Sequence, residues 1–431
     1  MRSYRLSLLV LCAGVFSAAG LPLAIGQSLP TTERGWAELA VATLCPVDDL
    51  SGIEAQSRLT GSWLVEETRH PADGEPGVVT IRLALPGADE ISIERRQAAG
   101  RLRQFRASYF ARIDDELAPR LLAIADGGCT IQSAREIRQA EHPWFYLDQL
   151  DGNLTTLRWS ETLQAPWPEG SDPGGVRVAL VDSGLAYDMN LFRDRLARDP
   201  KGVPLGYDYW DLDPWPYDGD VSRSPFLPIR HGTAVASVLV REAPDATLIP
   251  FRYPRPDMSR MADIVSDAAR AGARILAMPL GSNRIDDWSA FAAALAQHDI
   301  LAIVSAGNNG RDIDRNPLWP AVLPLENMIV VTSADGFGRL AQGSNWGLES
   351  VDIMLPAENV PIIDFRGASG TASGSSYAVP RLAALAARLL QREPSLTIGQ
   401  LRERIFARAT PSPFETSPVV AVGWIPDPSA D

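Results

Sequence analysis

The sequence predicts an α/β protein, in which a mostly parallel sheet with helices on both faces follows a smaller β-rich N-terminal domain. From residue 176 onward, short apolar runs alternate with amphipathic runs, which is typical of parallel strands connected by helices. Runs at 78–85, 90–96 and 104–113 instead alternate between apolar and polar residues and are separated by turn residues. This period of two indicates antiparallel strands in the N-terminal third.

Individual helices are predicted from apolar spacing and from capping residues. Apolar residues at 261–268 and at 288–295 recur with a helical period. Asp257 is placed to cap the first of these helices, and Thr397 with Gln400 forms a capping box for a last helix that ends near Ala409. The predicted parallel strands are the apolar runs at 176–181, 246–252, 274–278, 300–305, 328–332 and 351–355.

Three short segments carry the residue types of an acyl-transfer triad. Asp182 lies in VALVDSG, His231 in HGTAVASVL and Ser376 in SGSSYAVP. Asp182 ends a predicted strand, at the sheet edge where ligand-binding residues collect. Each residue taken alone could be a turn or helix cap. Asn308, in SAGNNG, could donate to a developing oxyanion, although an asparagine in such a stretch is also an ordinary turn residue.

The order and surroundings of these residues resemble the subtilisin family of serine peptidases over about residues 175–410. The segments DSG, HGT and GSSYAVP match the family's three motifs, and Ser375 alone departs from them, where the family has threonine. Asn308 matches the family's oxyanion asparagine. The resemblance implies a serine endopeptidase that hydrolyses polypeptides through Asp182, His231, Ser376 and Asn308, with no metal in the chemistry.

The resemblance also implies where a peptide would bind. Leu280 and Gly281 fall in the place of one substrate-binding strand of the family, and Ser305, Ala306 and Gly307 fall in the place of the facing one. In relatives, such backbones pair with an extended peptide. Pro279 stands where the family usually has serine, and it has no N–H to donate to a peptide.

Composition limits the other functions open to the chain. Its net charge of −13 argues against nucleic-acid binding, which needs basic patches. The acidic, proline-rich loop 206–220 could hold a structural calcium ion, or it could be a solvated loop whose aspartates cap turns. We favour the second interpretation. Cys45 and Cys129, both in the N-terminal third, could pair in an oxidising compartment.

The predicted organisation has five parts. Residues 1–26 have the pattern of a secretory signal, so we expect an exported protein, periplasmic or extracellular. We expect no stable membrane insertion after the signal is removed. The alternative is that residues 1–26 remain as an uncleaved membrane anchor. Residues 27–160 form the β-rich domain, which could be a pro-region, an accessory domain or a partner-binding module. The remaining parts are a linker at 161–175, the catalytic domain at 176–410 and a C-terminal tail at 411–431.

A second function class stays open on the sequence alone. The chain could be a catalytically silent binding or structural protein that keeps a peptidase fold and recognises a partner through its N-terminal domain. An esterase with a Gly-x-Ser-x-Gly elbow is disfavoured, because Tyr377 and Ala378 follow Ser376 and because His231 comes before the serine.

Overall fold

The computed structural model describes residues 29–70, 77–140, 144–255, 257–414 and 417–430. The predicted signal segment, 1–26, lies outside the described residues. Within them, the chain forms two large sheets, one antiparallel and one parallel, joined by a segment that follows residue 164. No helix in the described ranges has the length and apolar character needed to cross a membrane.

The N-terminal domain is an eight-stranded antiparallel meander, in which each strand pairs with the next along the chain. Its period-two patterning places alternate side chains on opposite faces, as predicted for this region. Two helices, which the sequence did not lead us to expect, pack on one face. The elements are α1 (Glu33–Leu44), α2 (Gly52–Arg58), β1 (Trp63–His70), β2 (Gly77–Ala84), β3 (Glu90–Ala98), β4 (Arg101–Ile113), β5 (Glu116–Asp126), β6 (Ile131–Gln139), β7 (Phe145–Asp151) and β8 (Leu157–Gln164).

The carboxyl end of α1 is fastened to this sheet in two ways. Arg95, only 2% exposed, donates from its guanidinium to the carbonyl oxygens of Leu44 and Cys45, at 2.9 and 3.1 Å. Burial lowers the pKa of Arg95, and the charges of nearby carboxylates partly offset that effect. Cys45 and Cys129 form a disulfide, as predicted, and join the end of α1 to the turn after β5.

The second sheet has eight strands in the order β10-β11-β9-β12-β13-β14-β15-β18, and all its neighbouring pairs are parallel. The strands are almost wholly buried, as expected for a sheet covered on both faces. They are β9 (Arg177–Asp182), β10 (Tyr207–Asp208), β11 (Thr247–Arg252), β12 (Ile275–Met278), β13 (Leu301–Ser305), β14 (Met328–Ala334), β15 (Ile353–Pro356) and β18 (Gly423–Trp424).

Helices cover both faces of the parallel sheet, which confirms the predicted fold class. One apolar core lies between one face of the sheet and the helices α3, α6 and α7, and a second lies between the other face and α4 and α5. A short hairpin, β16 and β17, precedes α6. These elements are α3 (Gly232–Glu242), α4 (Met261–Arg270), α5 (Ser289–Leu295), β16 (Val360–Ile363), β17 (Ser369–Ala372), α6 (Ser375–Arg392) and α7 (Ile398–Phe406).

The predicted helix caps are present. Asp257 caps a 3-10 turn, Met258–Arg260, that leads into α4, and its side chain accepts a hydrogen bond from the Ser259 N–H. Thr397 and Gln400 form the expected capping box, although α7 ends at Phe406, before the expected Ala409.

Two parts of the predicted organisation differ in the structure. β8 continues to Gln164, so the first residues of the predicted linker, including Glu161, belong to a strand. The predicted C-terminal tail is not separate, because β18 pairs with β15 and supplies the last strand of the parallel sheet. Trp424 and Ile425 are buried in the two cores of that sheet. A two-residue strand has no periodic pattern by which sequence alone could reveal it.

The carboxylates of the acidic loop are engaged by protein groups. Asp208 pairs with the buried Arg252 at 2.8 Å and accepts hydrogen bonds from the N–H groups of two residues that follow it. Burial, partly offset by Arg252, raises the pKa of Asp208 to about 6. Among the described residues, no group of three or more potential ligands is arranged to hold a metal ion. Calcium binding stays the less favoured of the two interpretations of this loop.

Candidate active site

The candidate site lies at the carboxyl edge of the parallel sheet. Asp182 is the last residue of β9, and Asn308 follows the end of β13, two strands away. In parallel sheets, neighbouring strands end at the same edge, so both residues lie on one edge of the sheet, here called the rim. α3 and α6 begin at that rim as well, with His231 immediately before α3 and Ser376 in the first turn of α6.

Asp182 and His231 form a close pair. The Nδ1 atom of His231 lies 2.8 Å from both carboxylate oxygens of Asp182. Asp182 is 4% exposed, whereas the imidazole is 30% exposed and remains open to the surface. With Nδ1–H donating to the carboxylate, Nε2 is the nitrogen left to accept a proton.

The approach of His231 to Asp182 depends on glycine at the next position. A Cβ on Gly232 would lie 2.0 Å from the Gly184 carbonyl oxygen and 3.0 Å from the Asp182 Cβ. Any larger residue there would push the start of α3 away from the end of β9. The close packing of α3 against β9 therefore requires the glycine that follows His231.

A buried carboxylate that no sequence motif indicates holds the start of α3. Asp218, 0% exposed, accepts hydrogen bonds from the His231 N–H at 3.3 Å and from the Thr233 N–H at 3.0 Å. The Ser183 hydroxyl donates to Asp218 at 2.6 Å and accepts from the Gly232 N–H at 3.0 Å. Together, Asp218 and Ser183 accept from the N–H groups of His231, Gly232 and Thr233, which have no partner within the helix. Asp218 looked like one of several loop aspartates, and no local pattern separates it from them.

The electrostatic surroundings raise the pKa of His231 above its usual 6.5. Burial alone would lower it, but the charge of Asp182, its hydrogen bond and the charge of Asp218 together outweigh that effect. Tyr377 lies beside the ring, with the two ring centroids 6.0 Å apart. Burial and the charges of the same two aspartates raise the pKa of Tyr377 to about 12, so its phenol is neutral near neutral pH.

Asn308 is oriented by the serine that precedes Ser376. Its Oδ1 accepts from the Ser375 N–H at 2.9 Å and from the Ser375 hydroxyl at 3.0 Å. Its Nδ2 has no acceptor in the part of the chain that the structure describes, and is left as a donor. Gly374 makes this contact possible, because its φ is +125° and a Cβ there would lie 3.1 Å from both Nδ2 and Oδ1 of Asn308.

Ser376 lies in the first turn of α6, where backbone N–H groups have no partner within the helix. The neighbouring Ser375 is fully buried, whereas Ser376 is partly exposed. Over the described residues, no hydrogen bond within 3.5 Å joins the Ser376 hydroxyl to His231. Such hydrogen bonds are often long in enzymes without bound substrate.

A cleft of about 240 Å³ opens beside His231. Asp182, His231, Pro279, Leu280 and Gly281 contribute to its walls. In the described part of the chain, the backbone N–H and C=O groups of Leu280 and Gly281 have no hydrogen-bond partner. They are therefore free to pair with an extended peptide. A larger cavity of about 610 Å³ lies elsewhere, near Arg177 and Arg270, away from this rim.

The facing segment offers fewer free groups. The Ala306 N–H donates to the Val331 carbonyl at 2.8 Å, and the Gly307 N–H donates to the Ser375 hydroxyl at 3.2 Å. Asn345 donates to the carbonyl oxygens of both Ala306 and Gly307, at 2.7 and 3.0 Å. Ser305 is the last residue of β13 and is buried. This segment can form a wall of the cleft, but its N–H groups are already engaged.

Comparison with known proteins identifies the family. Residues 174–424, more than half of the chain, match the model of the subtilase family. The chain belongs to the subtilase family. The subtilase is 27% identical over 238 residues to a thermophilic serine proteinase of Bacillus sp. strain AK1, covering 52% of this chain and 54% of that protein. It is 28% identical over 250 residues to a thermostable alkaline protease of Halalkalibacterium halodurans, covering 55% and 62%.

A similar solved structure is that of a cold adapted subtilisin-like serine proteinase. It shares 23% sequence identity, covers 62% of this subtilase and 93% of its own chain, and superposes with a TM-score of 0.49. The matches to the two proteases span only a little more than half of their lengths. The match to the family model confirms the family predicted from the sequence, and the residues it covers, 174–424, leave the N-terminal meander outside.

Proposed function

We propose that this subtilase is an exported serine endopeptidase, with Asp182, His231 and Ser376 as its triad and Asn308 as an oxyanion donor. The observation that carries the proposal is the pairing of Asp182 with Nδ1 of His231, at 2.8 Å to each carboxylate oxygen, on the rim where α6 begins. The imidazole is partly exposed, and its ring centroid lies 6.0 Å from that of Tyr377, the residue after Ser376.

The proposed reaction follows from these positions. His231 Nε2 takes the proton of the Ser376 hydroxyl as Ser376 Oγ attacks the scissile carbonyl, and it later gives that proton to the leaving amine. Asp182 holds the imidazole in the required tautomer and stabilises its cation. The Asn308 Nδ2 and the Ser376 N–H receive the oxyanion, and Leu280 with Gly281 pairs with the peptide. The full set of groups favours this reaction over a catalytically silent fold.

Export is supported by the disulfide between Cys45 and Cys129, because such bonds persist in oxidising compartments. The predicted signal at 1–26 agrees with export. Polypeptides are the proposed substrates, in keeping with the family.

A serine-reactive phosphonate tests the proposed function directly. We expect it to inhibit turnover of an unfolded protein and to add one label, which peptide mass spectrometry locates on Ser376. His231→Ala should lose both turnover and labelling, because the hydroxyl then has no base. Full labelling of Ser376 in the His231→Ala variant would contradict the proposed role of the imidazole.

Replacement of the oxyanion donor should lower catalysis without preventing binding. We expect Asn308→Ala to lower kcat by about 10²–10³-fold with little change in KM, since the donor is used mainly in the transition state. That magnitude comes from a subtilisin. The adjacent Asn309 is a matched control, because the structure shows only its backbone N–H in a hydrogen bond, to Asn345. If Asn309→Ala lowers kcat equally, Asn308 has no special role as a donor.

Leu318 should limit the side chain that fits beside the reacting carbonyl. Its Cδ2 lies 2.6 Å from the position of a Cβ on Gly307, and its Cγ lies 3.4 Å from one on Gly281. It thus occupies the space between the two segments that border the cleft, and we expect a preference for small side chains there. Leu318→Ala should raise the ratio of kcat/KM for a phenylalanyl substrate to that for an alanyl one by about tenfold or more.

The matched control for this specificity change is Leu325→Ala, a half-buried leucine that lines a different cavity. The measurement is the rate of cleavage of paired peptides that differ at this one side chain. An unchanged ratio in Leu318→Ala would exclude Leu318 as the limit on size.

A further inference from the structure

The N-terminal domain contacts the catalytic domain at two segments that lead to the triad. Residues 226–230, which come after the acidic loop 206–220, lead to His231. The hairpin β16–β17 leads through Gly374 to Ser376. Phe226 lies edge-on to Phe110 of β4, with ring centroids 5.9 Å apart, and its carbonyl accepts from Arg135 of β6 at 2.9 Å. These contacts hold the first segment against the meander.

One carboxylate joins both segments. Glu161 of β8 has a side chain that is 6% exposed. Its Oε1 accepts from Arg230, the residue before His231, at 3.3 Å. Its Oε2 accepts from Arg366, at the tip of the hairpin, at 3.1 Å. The partners lie 69 and 205 residues away along the chain. We call Glu161, Arg230 and Arg366 the Glu161 clamp.

Aromatic rings support the clamp from both domains. The Arg366 guanidinium lies 4.5 Å from the ring centroid of Trp159 on β8, and Arg135 lies 5.5 Å from the same ring. Arg230 lies 4.7 Å from the ring centroid of Phe365, and its side chain is 7% exposed. Three cations thus gather around one buried carboxylate, so loss of that carboxylate would leave them to repel one another.

The meander leaves the substrate cleft open. Among the residues that the structure describes, none of those lining the cleft beside His231 comes from the N-terminal domain. The connecting segment does not enter the cleft either, because Asp172 binds Arg177 at 2.7 Å, at the amino end of β9. Asp182 is at the opposite end of that strand, about 16 Å away at the usual rise per residue. The described residues of the meander and of the connecting segment therefore neither occupy the site nor lie where the site could cut them.

We propose that the N-terminal meander remains part of the active enzyme. In this proposal, Glu161 is a positioning residue that fixes the segments carrying His231 and Ser376 relative to each other. The proposal rests on the proposed function, since it assigns to Glu161 the geometry of that same triad. Glu161 does not touch substrate. It acts through Arg230 and Arg366.

Steady-state kinetics of the full chain tests the positioning role. Glu161→Gln keeps the size of the side chain but loses its charge. We expect kcat to fall about 10–100-fold while KM stays within about twofold, because small displacements of reacting groups are costly and the peptide-binding strand is untouched. Arg366→Gln removes only the ion pair between Glu161 and the hairpin. Because Arg366 is half exposed, this variant should fold even if Glu161→Gln folds poorly. A smaller fall in kcat is expected from it.

The matched control is Asp148→Asn. Asp148 is a carboxylate on β7 that is 7% exposed and pairs with Arg138 at 2.6 Å, and its other partner, Ser160, also belongs to the meander. The substitution removes a buried ion pair from the same domain and leaves the three residues of the Glu161 clamp unchanged. We expect a wild-type kcat below the unfolding temperature of the variant. An equal fall in kcat for Asp148→Asn, or a wild-type kcat for both Glu161→Gln and Arg366→Gln, would overturn the positioning role.

A second measurement does not depend on activity. In a Ser376→Ala background, we expect Glu161→Gln to accelerate hydrogen–deuterium exchange in peptides covering 220–231 and 360–372, but not in 382–390 within α6. Unchanged exchange would overturn the clamp. If Ser376→Ala retained turnover, the proposed function would be wrong. The exchange rates would still show whether Glu161 holds the two segments, because they do not depend on activity. An intact mass of fully active enzyme that begins after Gly175 would overturn the claim that the meander stays.

Discussion

Ser376→Ala should reduce kcat by about 10⁶-fold, as large an effect as the loss of His231. That magnitude is the one known for the nucleophile of a subtilisin. The physical reason is that alanine removes the atom that forms the covalent intermediate, while His231 and Asn308 alone can only assist attack by water. A slow residual rate should remain, since the oxyanion donors and the cleft are unchanged.

The adjacent serine gives this experiment its control. Ser375 is fully buried, and its hydroxyl is engaged with Asn308 and with the Gly307 N–H. Ser375→Ala should therefore still be labelled by the phosphonate, with a smaller loss of kcat from a less firmly held Asn308. Labelling and turnover are measured in parallel on both variants. Retained labelling in Ser376→Ala, lost in Ser375→Ala, would mean that the other serine is the nucleophile.

Asp182→Asn should lower kcat by about 10⁴-fold, less than the loss of Ser376 or of His231. An amide at this position can donate to Nδ1 and thereby favour the imidazole tautomer with its proton on Nε2, which cannot accept the proton of Ser376. It also removes the negative charge that stabilises the imidazolium. The fold should survive, because the Ser183 N–H that bonds to Asp182 can bond to an amide oxygen equally.

The pH dependence of kcat/KM checks the same pair. The pKa of His231 is raised above 6.5, so the base becomes available only as pH rises through that higher value, and the acidic limb of the wild-type profile should lie above pH 6.5. Asp182→Asn removes the charge and the hydrogen bond that raise the pKa, so the limb should move to lower pH. An acidic limb that stays in place would show that another group controls it.

Asp218→Asn is the comparison for this shift. Asp218 also raises the pKa of His231, but it is the weakest of the causes and bonds only the backbone N–H of the histidine. Its loss should move the acidic limb in the same direction by less, and it should cost far less in kcat. An equal or larger loss from Asp218→Asn would contradict the assignment of Asp182 as the residue that orients the ring.

The sequence alone determined the scaffold and the residue types of the candidate site. Buried parallel strands are continuous apolar runs, and helix starts carry capping residues, so β9, β13 and the box at Thr397 could be located locally. The glycines after His231 and before Ser375 belong to short motifs because close backbone packing requires them wherever the motif folds.

Only the tertiary structure decided how these residues are held. Asp218 resembles every other aspartate of its loop until it is seen buried at the start of α3, and β18 is too short to have a pattern. Glu161 begins a segment rich in proline and glycine, 161–175, whose composition predicts a linker. Its burial depends on two arginines distant in the chain, and no local signal records a contact of that kind. Local chemistry can be inferred from adjacent residues, whereas the partners of a buried charge are chosen by the fold as a whole.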